Sequence, residues 1–138
     1  IVSKFADDTK LGGGVLSPQD RDTVQRDLNK IFDWSVKWQM EFNLDKCKVL
    51  HIGRLNQKLS YEMEGSNLVG VDEEKDLGVY VNREFKFNKQ CVEACKRANR
   101  ALGYIKNNFE YKSRDIIVPL YKSLVRPHLE YCVQFWNP

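Results

Sequence analysis

Several features that define whole classes of protein are scarce or absent in this chain of 138 residues. No run of 18 or more apolar residues occurs, so the sequence offers no transmembrane helix and we expect no membrane partner. The four cysteines form no Cys-x-x-Cys pair and are too few for a disulfide framework, which suits a reducing compartment. The chain begins at Ile1 without a charged and then apolar leader, so we expect no secretory signal and a segment cut from something longer.

Recognisable zinc and phosphate-loop motifs are also missing. His51 and His128 have no zinc-ligand spacing to each other or to the cysteines. Gly12-Gly13-Gly14 lacks the Gly-Lys-Ser/Thr ending of a phosphate loop and is predicted to be a connector. What is present, 42% apolar and 30% charged residues, is enough for a hydrophobic core and argues against disorder.

Charge is distributed unevenly along the chain. The formal net charge is +3, but residues 1–82 hold 11 Lys and Arg against 14 Asp and Glu. Residues 83–138 hold 11 Lys and Arg against 5 Asp and Glu, a net charge of +6. Such a basic segment is typical either of a polyanion partner, whose phosphates attract Lys and Arg, or of an ordinary solvated helical surface.

One long amphipathic helix is predicted in the first half of the chain. Ser17 is expected at its N-cap, Pro18 at its first position and Asp20 at its third, which together make an acidic capping box. Apolar residues then recur at spacings of three, four and seven as far as Phe42, and Trp38 falls on that apolar stripe.

Short strands and then two basic helices are predicted in the rest of the chain. The strands are expected over 49–52, 59–63, 67–69 and 76–81, with Gly78 inside the last. The first helix follows Phe87, and its predicted apolar stripe consists of Cys91, Cys95, Ala98, Leu102, Ile105 and Phe109. Because both cysteines lie on this stripe, they are expected to be core thiols. The second helix starts near Ser113, and Pro119 in its second turn is expected to bend or delay it.

Two adjacent carboxylates are the clearest candidates for chemistry. Residues 1–11 are predicted to form a hairpin with Asp7 and Asp8 at its tip. Adjacent carboxylates repel each other unless a cation or solvent separates them, and Mg²⁺ is commonly held by one or two carboxylates plus substrate phosphates. By itself, an adjacent Asp-Asp pair is much more often an ordinary acidic turn than a metal site, so further context is needed.

Four segments, in one order along the chain, resemble a known enzyme family. Phe5-Ala6-Asp7-Asp8 resembles the Tyr/Phe-Ala-Asp-Asp box of reverse transcriptases. Residues 43–46 are similar to the Asn-x-x-Lys segment that follows the palm helix. Residues 76–79 are similar to the Leu-Gly strand at the primer end, and residues 120–131 to the post-thumb region. Over essentially its whole length, the chain resembles the C-terminal palm and thumb of non-LTR (LINE) retrotransposon polymerases of the jockey and CR1 type.

The resemblance implies roles in metal and nucleotide binding for three residues. Asp7 would be the main metal-ligating carboxylate, with Asp8 a second ligand or an electrostatic neighbour. The metal would be Mg²⁺ or Mn²⁺, and the reaction a two-metal nucleotidyl transfer from a dNTP. Lys46 would neutralise the incoming triphosphate or protonate the leaving pyrophosphate, although a solvated lysine at a helix exit explains it equally well.

The resemblance also implies contacts with an RNA template and a DNA primer. Leu77 and Gly78 would position the primer terminus by close backbone approach, unless they simply belong to a packed strand. Four basic side chains would face the template–primer backbone in a sequence-independent, salt-sensitive way: Lys89, Lys96, Arg97 and Arg100.

The expected architecture is α+β, with a partial palm over 1–82 (a small antiparallel sheet and a long helix) and a helical thumb and post-thumb segment over 83–138. A palm of this family needs a third carboxylate from a strand before the hairpin, and no acidic residue precedes Asp7. We therefore expect the isolated chain not to polymerise. The alternative function is a non-catalytic, retroelement-derived module that binds nucleic acid or protein. The family implies a nuclear or cytoplasmic location, and the sequence leaves the oligomeric state open.

Overall fold

The computed structural model describes residues 1–137, which form an α+β fold as predicted, in two compact units. The first unit runs from Ile1 to Asp72, and its elements are β1 (Val2–Phe5), β2 (Asp8–Leu11), α1 (Pro18–Lys37), β3 (Lys48–Leu50), β4 (Glu62–Met63), β5 (Ser66–Asn67) and β6 (Val69–Val71). The second unit starts at Glu73 and contains β7 (Glu73–Asp76), β8 (Val79–Asn82), α2 (Asn88–Asn108), α3 (Arg114–Leu120), α4 (Arg126–Glu130) and α5 (Val133–Trp136). This division falls ten residues before the junction predicted at 82/83, so the β7–β8 hairpin belongs with the helical part.

The strands form separate two-stranded ladders and do not build one sheet. Over residues 1–137 they form four two-stranded ladders: β1–β2, β4–β5 and β7–β8 are antiparallel, and β3–β6 is parallel. The expectation of a single small antiparallel sheet is therefore wrong. Each antiparallel pair is closed by a two-residue turn between strands of two to four residues, so pairing stops at the immediate neighbour.

Helix α1 begins as predicted and ends earlier than predicted. The Ser17 hydroxyl accepts from the Asp20 amide, and the Asp20 carboxylate accepts from the Ser17 amide at 2.8 Å, which completes the capping box. The helix ends at Lys37, not Phe42, because Gln39 adopts a φ of +55°. Two hydrogen bonds close the last turn: the Gln39 amide donates to the Val36 carbonyl, and the Met40 amide donates to the Ser35 carbonyl. That pattern is a Schellman ending with Gln39 where glycine is usual, and it leaves Trp38 exposed.

Polar side chains of α1 hold β4 in place. The Gln25 side chain amide donates to the Glu62 carbonyl at 2.7 Å and accepts from the Glu62 amide at 3.0 Å, as a neighbouring strand would. Arg21 donates to the Ser60 carbonyl just before β4. Tyr61 and Met63 are the buried apolar residues of this unit, whereas the apolar stripe of α1 is only half-buried. The first unit therefore has few fully buried apolar residues, and side-chain hydrogen bonds join α1 to β4.

The Leu77-Gly78 pair forms a turn and not part of a strand. In the β7–β8 hairpin, Asp76 pairs with Val79, so the two residues between them make the connection. Their φ values are +44° and +88°, the left-handed backbone that hairpin turns of two residues require. The prediction of a strand through Gly78 is wrong because the acidic and basic residues of β7 have low strand propensity and conceal the first strand of the hairpin.

The buried face of α2 is rotated from the predicted stripe. Its buried residues are Gln90, Ala94, Ala98 and Ile105, whereas Cys95 and Leu102, both predicted inside, are exposed and Cys91 is half-buried. Gln90 is fully buried, at 1% exposure, and its side-chain oxygen accepts a hydrogen bond from the Tyr80 amide of β8 at 3.2 Å. This bond and the cluster of Ala98, Ile105 and fully buried Val125 set the helix rotation, so the expectation of a core thiol at Cys95 is wrong.

The C-terminal helical region runs through two prolines with a widened turn between them. Helix α3 starts at Arg114, so Pro119 does not delay it. A π-helical turn, Tyr121–Val125, follows, in which the Arg126 amide bonds to the Tyr121 carbonyl five residues back, before α4 begins. Pro119 and Pro127 both lack the backbone amide hydrogen that a regular helix uses for hydrogen bonding. The π-helical turn between them accommodates the resulting change in the hydrogen-bond pattern.

Replacing Ser17 with alanine should destabilise the first unit by about 1 kcal/mol, because the cap of the amide at Asp20 is lost. Ser113→Ala is the matched control, since Ser113 also precedes a helix but makes no side-chain capping bond. Chemical denaturation of both variants measures the difference. Equal stability of the two variants would contradict this assignment of the cap.

Stability should also fall in acid through Asp20. Hydrogen bonding to the Ser17 side chain, more than any other contact, lowers the pKa of Asp20 below its ordinary value of 3.8. A group with a lowered folded-state pKa stabilises the fold above the unfolded pKa and loses that contribution as the pH falls through the folded pKa. Asp20→Asn should therefore remove part of the loss of stability below about pH 4. Asp33→Asn, at an exposed position of the same helix, should not.

Candidate functional site

The β1–β2 hairpin presents one of the two predicted carboxylates at its turn. Phe5 pairs with Asp8, so Ala6 and Asp7 form the tip and Asp8 is the first residue of β2, which corrects the predicted Asp7-Asp8 tip. Ala6 has a φ of +52°, and both carboxylates are exposed. Asp7 therefore belongs to the turn, and Asp8 belongs to the strand that follows it.

The donor chemistry of this turn suits part of a hard-cation site. Asp7 and Asp8 make no side-chain hydrogen bond or ion pair within residues 1–137, so their oxygens are available. No cluster of three or more His, Cys, Asp or Glu that could hold a metal occurs in the described part of the chain. Two carboxylates fit Mg²⁺ when substrate phosphates or a further carboxylate complete its oxygen ligands.

Lys46 lies in the same unit but is not joined to the carboxylates. It ends a short 3₁₀ turn, Leu44–Lys46, that begins when the Asn43 side chain accepts from the Asp45 amide at 3.1 Å. Its side chain is exposed, and among the described residues it forms no ion pair or hydrogen bond with Asp7 or Asp8. Its catalytic role stays a prediction.

Strand β1 of the first hairpin contacts α1 through a cation–aromatic pair. The Lys4 ammonium lies 4.1 Å from the centre of the Trp34 ring, within the range of a favourable cation–π contact. The ladder of this hairpin has two strands, and both of its edges are unpaired in the described structure. Asp7 therefore projects from a two-stranded ribbon that has room for further strands.

In the second unit, Tyr131 contacts the Leu77-Gly78 turn directly. The Tyr131 hydroxyl donates to the Leu77 carbonyl at 2.7 Å. A Cβ at Gly78 would lie 3.1 Å from Cε1 of the Tyr131 ring, closer than ordinary packing allows. Gly78 is thus needed twice, for its φ of +88° and for the approach of the ring. The backbone of this turn was predicted to approach a primer closely, and Tyr131 of the same chain occupies part of the space next to it.

The phenol of Tyr131 is protonated at neutral pH, since its ordinary pKa is 10.0 and its surroundings raise that pKa further. Interaction with the neighbouring Cys132 side chain is the main cause of the increase in pKa, and the nearby Arg97 guanidinium opposes it only in part. At neutral pH the hydroxyl is therefore a donor. The Trp136 indole donates to the Tyr131 carbonyl at 2.7 Å and holds the residue from the other side.

Three of the four predicted nucleic-acid-binding residues share one face of α2. Lys89, Lys96 and Arg100 are spaced by seven and four residues, which places them along one exposed side of a helix. Lys89 pairs with Glu73, and Lys96 donates to Glu93 at 2.7 Å. These pairings raise the pKa of Lys89 and lower that of Glu93. Arg100 forms no side-chain bond within residues 1–137, so its full charge is available to a ligand.

Arg97 differs from the other three basic residues. It is half-buried beside the core face of α2, and its Nε donates to the Glu93 carbonyl at 3.3 Å. Its Nη2 is buried and has no hydrogen-bond partner in the described residues. An Arg held in this way is less accessible to a phosphate backbone than the exposed Arg100 one helical turn away.

The structure thus groups the predicted site residues by unit. Asp7, Asp8 and Lys46 belong to the first unit, and the turn residues and the α2 cations belong to the second. The second unit has 12 Lys and Arg against 8 Asp and Glu, a net charge of +4. Sequence reasoning missed Tyr131, since no pattern links positions 77 and 131. A two-residue Leu-Gly connection between strands was the available signal for the turn itself.

One curated protein matches the chain over nearly its whole length. The chain is 25% identical over 143 residues to the RNA-directed DNA polymerase from mobile element jockey of Drosophila funebris. The match covers 99% of this chain and 16% of that polymerase, so the chain spans a small part of its relative. This finding supports the predicted relationship to reverse transcriptases.

Other comparisons add no further relationship. No family model and no solved structure matches the chain. No helix among residues 1–137 is long and apolar enough to cross a membrane. Palm and thumb are therefore retained as predictions for the two parts of the chain.

Gly78→Ala should destabilise the second unit by about 1–3 kcal/mol, since it combines a positive φ with a clash against Tyr131. Gly65→Ala is a control for the backbone term alone, because Gly65 has a φ of +71° and open space around its Cα. Gly103→Ala, inside α2 with nothing nearby, should be neutral or stabilising. Thermal unfolding of the three variants tests this order.

Proposed function

We propose that this chain forms the C-terminal part of the palm, and the thumb, of an RNA-directed DNA polymerase of a non-LTR retrotransposon. The observation that carries the proposal is the exposed Asp7 turn within a chain that matches the jockey polymerase over 99% of its own length. The β1–β2 ladder with its free edges also supports it, because a palm hairpin must pair with further strands.

In this proposal the chain's own residues bind and orient the reacting groups. Asp7 supplies carboxylate oxygens at the turn, with Asp8 beside it as a second acidic group. Lys46 offers a positive charge to the triphosphate of an incoming dNTP or a proton to the leaving pyrophosphate. A bound Mg²⁺ or Mn²⁺ would supply Lewis-acid stabilisation of the charge that develops on the phosphates. The described residues provide two of the carboxylates, so a third must come from elsewhere in the polymerase.

The second unit would hold the template–primer. The exposed face of α2 carries Lys89, Lys96 and Arg100, and two of these already pair with glutamates of the same unit. Phosphate groups would compete with those carboxylates, so Arg100 is expected to contribute most per residue. The Leu77-Gly78 turn would contact the primer end.

A second candidate function is a nucleic-acid-binding module without catalysis. The absence of any three-residue metal cluster among residues 1–137 favours it for the chain acting alone. Both candidates share the basic face of α2. They differ in whether Asp7 is needed for any activity.

The first experiment replaces the matching segment of the Drosophila funebris jockey polymerase with this chain and measures primer extension. The assay contains a DNA primer, an RNA template and Mg²⁺. Extension is expected, and Asp7→Asn should lower its rate by at least about 100-fold, because metal-assisted charge stabilisation amounts to several kcal/mol. Asp33→Asn, an exposed aspartate of α1, is the matched control and should leave the rate unchanged.

Binding of the primed template is measured for each chimera alongside primer extension, so that a loss of extension can be separated from a loss of binding. A chimera that binds the template but extends no primer, or one whose extension survives Asp7→Asn, contradicts the catalytic proposal and favours the binding module.

Salt dependence tests the role of α2 directly on the 138-residue chain. Affinity for a DNA–RNA hybrid should fall steeply with salt, and Arg100→Gln should reduce the slope of log K against log salt by about 0.7–0.9, the value for one lost phosphate contact. Arg54→Gln, an exposed arginine of the first unit, is the control and should not change the slope. Affinity that does not depend on ionic strength would contradict both candidate functions.

A further inference from the structure

The structure assigns a positioning role to Tyr131: we propose that its hydroxyl and ring hold the Leu77-Gly78 turn in the shape that meets a primer 3′ end. This inference deepens the proposed function and rests on it, since the turn is taken to be the primer contact. Tyr131 acts through the turn and does not itself touch the reacting atoms.

Two contacts on opposite parts of the turn carry the proposal. The hydroxyl binds the Leu77 carbonyl at 2.7 Å, and the ring occupies the space beside the Gly78 Cα. The contact joins positions 54 residues apart, so no local propensity of the hairpin produces it. A turn bound at both of its residues is ordered before any ligand arrives, which lowers the entropy lost on binding.

The turn needs such support because of its backbone. Leu77 has a side chain and a φ of +44°, a conformation that persists when surrounding contacts determine it. Its side chain is 40% exposed, so the outer surface of the turn remains accessible while the carbonyl is taken. What is left for a ligand is therefore the Leu77 side chain and the outer backbone of the turn.

Tyr131 is itself fixed by the end of the chain. Cys132 follows with a φ of +52° and is the N-cap residue of α5, and the buried Trp136 donates to the Tyr131 carbonyl. Arg97 lies close enough for its charge to act on the phenol. The C-terminal segment thereby reaches back to the hairpin that opens the second unit.

The first arm of the test measures the turn without nucleic acid. Tyr131→Phe keeps the ring and removes the donor, and hydrogen exchange at the Val79 amide, which closes the turn, should become about 2- to 12-fold faster, the change expected for one hydrogen bond. Tyr111→Phe is the matched control, since Tyr111 is 77% exposed and its hydroxyl makes no bond within residues 1–137. Gly78→Ala disturbs the same contact from the side of the turn and should also speed exchange at Val79.

The second arm measures binding to RNA with and without a DNA primer whose 3′ end is recessed. The unsubstituted chain should prefer the primed template, and Tyr131→Phe should lose about 2- to 12-fold of that preference while its affinity for unprimed RNA stays the same. A purely structural role would instead weaken both affinities alike.

The outcomes separate this inference from the function on which it rests. Unchanged exchange at Val79, or faster exchange with an unchanged preference for primed template, overturns the positioning role of Tyr131. An unsubstituted chain that shows no preference for primed template overturns the primer contact of the turn and with it this inference, whereas the proposed catalytic role of Asp7 is decided separately by primer extension.

Discussion

The two hairpins that carry candidate functional residues depend on backbone with positive φ at two-residue turns. Ala6 adopts it next to Asp7, and Leu77 and Gly78 adopt it between β7 and β8. Such turns match the twist of the strands they join, but they are costly for residues with side chains. Glu64 adopts the same backbone in the β4–β5 turn, so this conformation is a general feature of these short hairpins and does not by itself mark the predicted site residues.

The two units stabilise their hairpins by different means. In the first, a capped helix supports β4 with side-chain amide bonds, and the Lys4–Trp34 contact joins the β1–β2 hairpin to that helix. In the second, Gln90 binds the backbone of β8, and Tyr131 binds the turn. The Leu77-Gly78 turn is thus held by a contact from a distant part of its own unit, whereas the Asp7 turn belongs to a two-stranded ladder whose edges are unpaired in the described residues.

Not every basic side chain on α2 is free to bind a phosphate group. Four basic residues were expected to face nucleic acid, but Arg97 is half-buried and two lysines pair with glutamates. Exposed ion pairs of this kind contribute little to stability, so a phosphate backbone can displace them at small cost. Arg100 needs no such exchange. This difference follows from helix rotation, which is set by Gln90 and the alanine face.

Local chemistry in the sequence was sufficient for the capped start of α1, the hairpin around Asp7, the α+β class and the relationship to an RNA-directed DNA polymerase. Each of these depends on neighbouring residues or on motifs of a few positions. The end of α1 at Lys37, the rotation of α2 and the exposure of Cys95 depended on a side chain in left-handed backbone and on packing against β8 and Val125. The contact between Tyr131 and Leu77 was decided only by tertiary structure, because a hydrogen bond across 54 residues leaves no periodic trace in the sequence.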